Sequence, residues 1–241
     1  MMRVCKLYPI LEVIRREILQ INIINYIVVI YAVMKIMKRK KRPKILVIMM
    51  YSNRVLNNIR KMRFKKSMKN ARLCFRYWYD EEGIAKLLNN LDDKLDAIIV
   101  SGSDYRIVDR RSPKVPEIIF KHANKIHILA ICYGMQYIAV RFGKFSNVRV
   151  RDTGYIRNYD RPLKIRYPFD IVKTKYRYNH NDIVIKVGKN IENVMKRKDM
   201  IDILYHKKRD ILGVQFHPEY YVKSGKLFFG TWLSWLSRRN S

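Results

Sequence analysis

Glycine is scarce in this chain. With nine glycines in 241 residues, each one marks a point where the backbone needs room or an unusual conformation. Cysteine is scarcer still. Cys5, Cys74 and Cys132 are an odd and sparse set, which excludes a disulfide framework and suits a reducing, cytoplasmic compartment. Acidic residues are the third shortage: 20 stand against 51 Lys and Arg, a formal net charge of +31. An excess of that size raises contact with nucleic acid or an anionic surface. Yet the positive charge is spread along the chain, within a general richness in Lys, Ile, Asn and Tyr, and no nucleic-acid-binding module of the usual kinds is visible. Compositional bias is therefore preferred over a nucleic-acid partner. No internal repeat or low-complexity segment is evident. A hydrophobic content of 49% gives ample core for one large domain, or a domain with an extension.

A long uninterrupted apolar run is also missing. Ile18 to Met34 carries no charge and is mostly apolar, but Gln20, Asn22 and Asn25 interrupt it, and the basic run from Lys38 to Arg42 follows. A membrane helix wants about 20 apolar residues. Basic residues after the segment would place the remainder on the cytoplasmic side. Glu12 and Glu17 before the apolar core, with no small-residue cleavage site after it, argue against a signal peptide. Three readings stay open for residues 1–43: a membrane anchor through 18–34, an apolar helix packed on the domain, or an upstream extension with Met34 or Met37 as the start. The working domain is expected at 44–241.

Past Pro43 the pattern becomes regular. Apolar, β-branched runs predict strands at 45–49, 73–79, 96–100 and 126–131. Between them, helices are expected at 53–66, 81–91 and 116–122. The first carries Val55, Leu56, Ile59 and Met62 at helical spacing, with its basic face in water. Such alternation implies a parallel sheet covered on both faces, with active groups at the carboxyl ends of strands. Two of those ends carry distinctive turns, after Val100 and after Ile131. From Val148 onward strands follow without long helices, at 148–151, 169–175, 183–187, 201–205 and 212–216. A last helix, 224–236, is expected to bury Leu227, Phe228, Trp232 and Trp235. The fold class is α/β: an open, mostly parallel sheet flanked by helices, a smaller antiparallel strand extension, and an N-terminal apolar helix.

The chemistry concentrates in two stretches. In Ile128-Leu129-Ala130-Ile131-Cys132-Tyr133-Gly134-Met135-Gln136 an apolar run stops at a cysteine and a helical pattern resumes at once. Strand, sharp turn and helix would hold a thiol out at a helix N-terminus, where the dipole favours a thiolate. The other reading is a buried core cysteine. In Gly213-Val214-Gln215-Phe216-His217-Pro218-Glu219 a strand delivers a histidine with a carboxylate two residues on. A cysteine nucleophile needs a base, and the base needs an acceptor to orient its ring. Cys132, His217 and Glu219 supply that set.

These two stretches closely resemble the signature segments of class I, triad-type glutamine amidotransferases, nearest to the glutaminase domain of GMP synthase. Ser101-Gly102-Ser103 falls where the family has its Ser-Gly-Gly oxyanion turn. The likeness runs from Lys44 to Leu236 and implies a flavodoxin-like core. It also implies glutamine as substrate, Cys132 as nucleophile, His217 as base and Glu219 as its orienter. The oxyanion donors would be the backbone of Tyr133 and of the Gly102–Ser103 turn. Gln136 and His180 fall at positions that would shape the glutamine pocket; by their residues alone, Gln136 is equally a solvent-facing helix residue and His180 part of a strand-end turn.

The chain departs from the family at Ala130, where glycine is usual, at Asn181, and at Ser103 and Asp104, which replace a glycine and a proline. If the turn needs a glycine-only conformation, Ser103 costs about 1–3 kcal/mol of strain, and a negative Asp104 would oppose a developing oxyanion. There is no P-loop and no Ser-Gly-Gly-rich pyrophosphatase loop. ATP and Mg are thus expected only on a separate synthetase, with GMP formation from XMP as the leading pathway, and no cofactor or metal is expected in this chain. A stand-alone γ-glutamyl hydrolase, and a non-catalytic scaffold that kept the fold, are the alternatives.

Overall fold

The apolar run Lys44–Met49 forms strand β1, buried along its whole length. Because successive side chains of a strand point to opposite faces, Ile45, Val47 and Met49 enter one core layer and Leu46 and Ile48 the other. β1 is thus a strand covered on both faces, as its unbroken hydrophobicity requires. The computed structural model describes residues 42–109, 111–149 and 157–239. The expectations for the apolar segment 18–34 and for the rest of 1–41 lie outside the described residues. Among those described, no helix is long and apolar enough to cross a membrane.

After β1 come helix α1 (Arg54–Ser67), strand β2 (Arg72–Tyr77), helix α2 (Glu81–Leu88), strand β3 (Ala97–Val100), the short helix α3 (Ile118–Lys121), strand β4 (His127–Ile131) and helix α4 (Tyr133–Arg141). The second half holds β5 (Val148–Arg149), β6 (Arg157–Ile165), β7 (Ile171–His180), β8 (Ile183–Val184), β9 (Glu192–Arg197), β10 (Met200–His206), β11 (Ile211–Val214) and the long helix α5 (Val222–Arg239). Seven strands make one sheet in the order β2-β1-β3-β4-β11-β10-β9. The first five are parallel, while β10 and β9 are each antiparallel to their neighbours. The pairs β5–β8 and β6–β7 form two small antiparallel sheets. The expected α/β architecture with an antiparallel extension is therefore present.

Two layers cover the main sheet. Phe64 of α1 and Phe228, Phe229 and Trp232 of α5 pack on one face. Ile84 of α2, Ile119 of α3 and Met135 and Ile138 of α4 pack on the other. α5 buries Phe228 and Trp232 as expected, while Leu227 and Trp235 stay partly exposed and Phe229 takes a core place. Helix α4 lies so close to β3 that a Cβ on Gly134 would meet the Val100 carbonyl oxygen at 2.9 Å.

Helix α1 turns the expected pattern round. Its inward side carries Asn57, Arg60, Phe64 and Ser67, while Val55 and Met62 are 68% and 54% exposed and Ile59 is exposed beside them. Asn57 faces inward with partners there: its side-chain amide donates to the carbonyls of Tyr51 (3.1 Å) and Asn53 (2.8 Å). Arg60 reaches the site described next.

Register sets up that site. Val100 of β3 lies opposite Ala130 of β4, and Ala130 opposite Gly213 of β11. Three adjacent parallel strands therefore end side by side, and the turn after β3, the elbow after β4 and the segment after β11 rise together from the carboxyl edge.

Candidate active site

Cys132 caps α4 with φ 51° and ψ −103°, a left-handed conformation that costs a non-glycine residue about 1–3 kcal/mol and persists only where its surroundings impose it. Its surroundings do so. The Cys132 amide donates to the Val214 carbonyl at 2.7 Å, and its carbonyl accepts the first helical bond from Gln136 at 3.0 Å. The chain must thus finish a ladder bond and start a helix at one residue. The amides of Tyr133, Gly134 and Met135 precede that first bond and form the open N-terminal turn of the helix.

His217 reaches the same place from β11. Its backbone amide donates to the Arg177 carbonyl of β7 at 2.8 Å, and its Nδ1 lies 2.8 Å from Glu219 Oε1, both residues being buried. Burial by itself would lower the His217 pKa; the Glu219 carboxylate, then the Cys132 sulfur, outweigh it and raise it to about 9. For Glu219, burial would raise the pKa, but the His217 ring, and after it Arg60, hold the carboxyl below its ordinary value. A histidine ring kept basic by the carboxylate behind it is the arrangement these shifts describe. The Cys132 sulfur also receives the Gln215 side-chain amide at 3.6 Å and lies 3.7 Å from the Asn179 carbonyl.

Gly102 sits against this pair. A Cβ there would lie 2.7 Å from His217 Cε1 and 3.5 Å from Cys132 Cβ, so the Gly102–Ser103 turn stands beside the sulfur. The strain expected of Ser103 is absent: among the described residues the non-glycine positions with positive φ are Cys132, Lys198 and Asp210, and no glycine has one. The Ser103 hydroxyl instead braces the turn, donating to the Met50 carbonyl at 2.7 Å and accepting from the Tyr105 amide at 3.0 Å. Asp104 is held by Ser52, whose amide donates to Oδ1 at 2.8 Å and whose hydroxyl donates to Oδ2.

A cavity of about 150 Å³ opens over the sulfur, lined by Cys132 and His217 together with Ser103, Tyr133, Gln136 and His180, among others. Gln136 does not face solvent. It is buried, and its amide nitrogen donates to the Asp182 carbonyl at 2.7 Å. His180 ends β7 and is buried against the Tyr159 and Tyr178 rings. Asp182 ties this turn to the loop after β3, accepting from Arg106 at 3.2 Å and from the Ile107 amide at 3.1 Å. Among the described residues no cluster of His, Cys, Asp and Glu could hold a metal ion.

The structure thus places Cys132, Tyr133, Ser103, Gln136, His180 and His217 around one cavity, with Gly102 and Glu219 against His217, and Gln215, Tyr51 and Arg60 stand beside them. Gln215 was visible only as a motif letter, although its place at the end of β11 signals the site. Tyr51 follows β1, a strand end that carries no turn signature; its buried phenol is pushed well up by desolvation, and its hydroxyl has no hydrogen-bond partner among the described residues. Arg60 sits in a basic helix and its burial has no sequence signal.

The family model for "Glutamine amidotransferase class-I" matches residues 56–230. The GMP synthase [glutamine-hydrolyzing] of Plasmodium falciparum is 30% identical over 176 residues, covering 57% of this chain and 32% of that protein. The enzyme of the same description from Wigglesworthia glossinidia brevipalpis is 31% identical over 140 residues, covering 54% and 26%. The chain therefore spans about a third or less of the length of these curated relatives. Among solved structures, a Thermoplasma acidophilum protein proposed to be a GMP synthase subunit has a TM-score of 0.62 at 19% identity, covering 84% of this chain and 98% of that one. The PurLQS structure from Thermotoga maritima has a TM-score of 0.59 at 17% identity, covering 81% and 100%. At such identities these two speak to the fold alone.

Proposed function

The chain belongs to the class I glutamine amidotransferase family, and from that premise we propose that it is a glutaminase, with 44–241 as the catalytic unit. It releases ammonia from glutamine for a separate ATP-dependent synthetase, and the ammonia acceptor is XMP, giving GMP. The observation that carries the reading is the His217 ring held between the Glu219 carboxylate, 2.8 Å away, and the Cys132 sulfur. The acceptor rests on the curated relatives, which are GMP synthases.

In this reading the Cys132 thiolate attacks the side-chain amide carbon of glutamine, its proton having passed to His217. Backbone amides of Tyr133 and of the Gly102–Ser103 turn receive the oxyanion. His217 gives its proton to the leaving nitrogen, the C–N bond breaks, and ammonia leaves a glutamyl thioester on Cys132. Water, deprotonated by His217, attacks the thioester; the C–S bond breaks and glutamate departs. Glu219 holds the His217 tautomer through both steps. Gln136 and His180 shape the pocket wall around the substrate.

The test is glutamate and ammonia release from glutamine, with the protein alone and with an XMP-aminating synthetase, ATP and Mg. Release stimulated by the synthetase, with GMP formed, supports the reading. Cleavage of γ-glutamyl peptides without such stimulation would move the protein to the hydrolase class, and no release under any of these conditions would leave the scaffold role. One variant tests the packing of the turn. A methyl at Gly102→Ala must displace the His217 ring, and a misplacement on the order of 1 Å can cost about 10²-fold in rate. Turnover of Gly102→Ala is expected to fall by that order with the thermal melt little changed.

A further inference from the structure

Helix α1 carries many cations, and one of them does not face water. Arg60 has a side chain only 10% exposed, and its Nη1 lies 3.7 Å from Oε1 of Glu219, itself 1% exposed. The guanidinium lies near two aromatic rings, with its carbon 5.2 Å from the Tyr51 ring centre and 5.9 Å from that of Tyr220. Arg60 also lines the cavity that exposes Cys132 and His217. On the carboxylate it faces, Oε1 is taken by His217 Nδ1, whereas Oε2 has no hydrogen-bond partner among the described residues.

Charge counting explains why a cation belongs there. The reactive state places a thiolate on Cys132, an imidazolium on His217 and a carboxylate on Glu219, which leaves one uncompensated negative charge among buried side chains. Such a charge is costly unless paired, and a buried carboxyl answers by taking up a proton. A protonated Glu219 could no longer stabilise the His217 imidazolium. Arg60 brings the sum to zero, and guanidinium, which stays charged under any working condition, suits the place better than an ammonium would.

We infer that Arg60 is a positioning residue of the site: it keeps Glu219 ionised and aimed at His217 Nδ1, and so acts on Cys132 chemistry through the orienting carboxylate without touching substrate. The inference rests on the proposed glutaminase mechanism. The groups that face Glu219 and His217 are Arg60 from α1, Tyr51 from the turn after β1 and Cys132 from the elbow; Tyr220 in turn faces Arg60, and Asp104 from the turn after β3 faces Tyr51. Of these, Arg60 is the fixed cation.

The experiment compares wild type with Arg60→Met, Arg60→Gln and Arg60→Lys. Two readouts are followed against pH: glutamine turnover, and the rate at which iodoacetamide alkylates Cys132, read by mass spectrometry. Loss of an opposite charge at about 4–6 Å moves a carboxylate pKa up by about one unit or more. The acid limb of both profiles should therefore shift to higher pH by about that amount in the Met and Gln variants. Turnover should fall about 10- to 100-fold with KM little changed, short of the ~10⁴-fold loss that follows removal of a triad carboxylate itself. Arg60→Lys should restore the acid limb. Should Arg60→Met fail to fold, Gln against Lys carries the same comparison. Wild-type acid limbs in the neutral variants, or a Lys variant no better than Gln, would overturn the inference. Absence of glutamine turnover in wild type would instead overturn the parent reading, and the alkylation profile would still decide the role of Arg60.

Discussion

Cys132→Ala is expected to abolish glutamine hydrolysis and leave the fold standing. Removal of a triad nucleophile costs on the order of 10⁶-fold in turnover, enough to bring this protein to background. The fold should survive because the elbow is imposed by backbone bonds, to the Val214 carbonyl and from the Gln136 amide, not by the sulfur. A companion variant sharpens the point. Cys132 holds a left-handed φ of 51°, and alanine inherits that strain. Glycine removes strain of about 1–3 kcal/mol at a cost of about 0.5–1 kcal/mol in freedom of the unfolded chain. Cys132→Gly should thus melt a few degrees above Cys132→Ala, both being inactive. Equal melting temperatures would mean the elbow is not strained; residual turnover in either variant would mean another residue performs the attack.

Glu219→Gln carries the second large effect, and it has two parts. An amide keeps the shape but not the charge, so it can no longer stabilise the His217 imidazolium or enforce one tautomer. The analogous change in a serine-protease triad costs about 10⁴-fold in kcat, and a loss of that order is expected here. The substitution also strands Arg60, whose side chain is 10% exposed. Breaking a buried ion pair from one side costs about 3–5 kcal/mol. At about 2–4 °C per kcal/mol for a chain of this size, the melting temperature should fall by about 6–20 °C.

The pH dependence follows the same logic. Glu219 has a depressed pKa, so its contribution to stability is present above the ordinary carboxylate value and lost as pH falls through the depressed one. His217 is raised from 6.5 to about 9, so its contribution is complete below 6.5 and lost as pH rises through about 9. In Glu219→Gln the acid dependence should flatten and the alkaline loss should begin at lower pH. Thermal melts across pH, with turnover at each point, check both. A variant as stable as wild type, with an unchanged alkaline limb, would show that the carboxylate does not hold the ring.

The parallel half of the fold was legible because its strands are unbroken apolar runs separated by helical patterns: β1, β3 and β4 stand where 45–49, 96–100 and 126–131 predict them. The antiparallel half is less legible. β6, with Pro162 and four charged residues in nine, and β9, a polar strand at the sheet edge, carry no alternation strong enough to announce a strand. Cys132, His217 and Glu219 were legible because each follows a strand end within a distinctive motif. Arg60 was not, since nothing in a helix of mixed Lys, Arg and apolar residues says which side is buried. The inversion of α1 is a tertiary effect: the inward side meets Glu219 and the backbone of Tyr51, which reward polar groups, while Val55, Ile59 and Met62 are left outside. Ser103 and Asp104 raised an expectation of strain that the backbone does not carry, because their side chains bond to Met50 and Ser52 and hold the turn without a left-handed residue.

Cys132 is proposed as a nucleophile aimed at the side-chain amide carbon of glutamine. The direct measurement is labelling of the purified protein with a glutamine analogue that carries an electrophilic diazoketone in place of the amide, read by peptide mass spectrometry with iodoacetamide alkylation in parallel. A single addition on Cys132 is expected, slowed by free glutamine and absent from Cys132→Ala, while Cys74 stays unmodified. Alkylation of Cys132 by iodoacetamide without any addition of the glutamine analogue, or addition that glutamine does not slow, would contradict it.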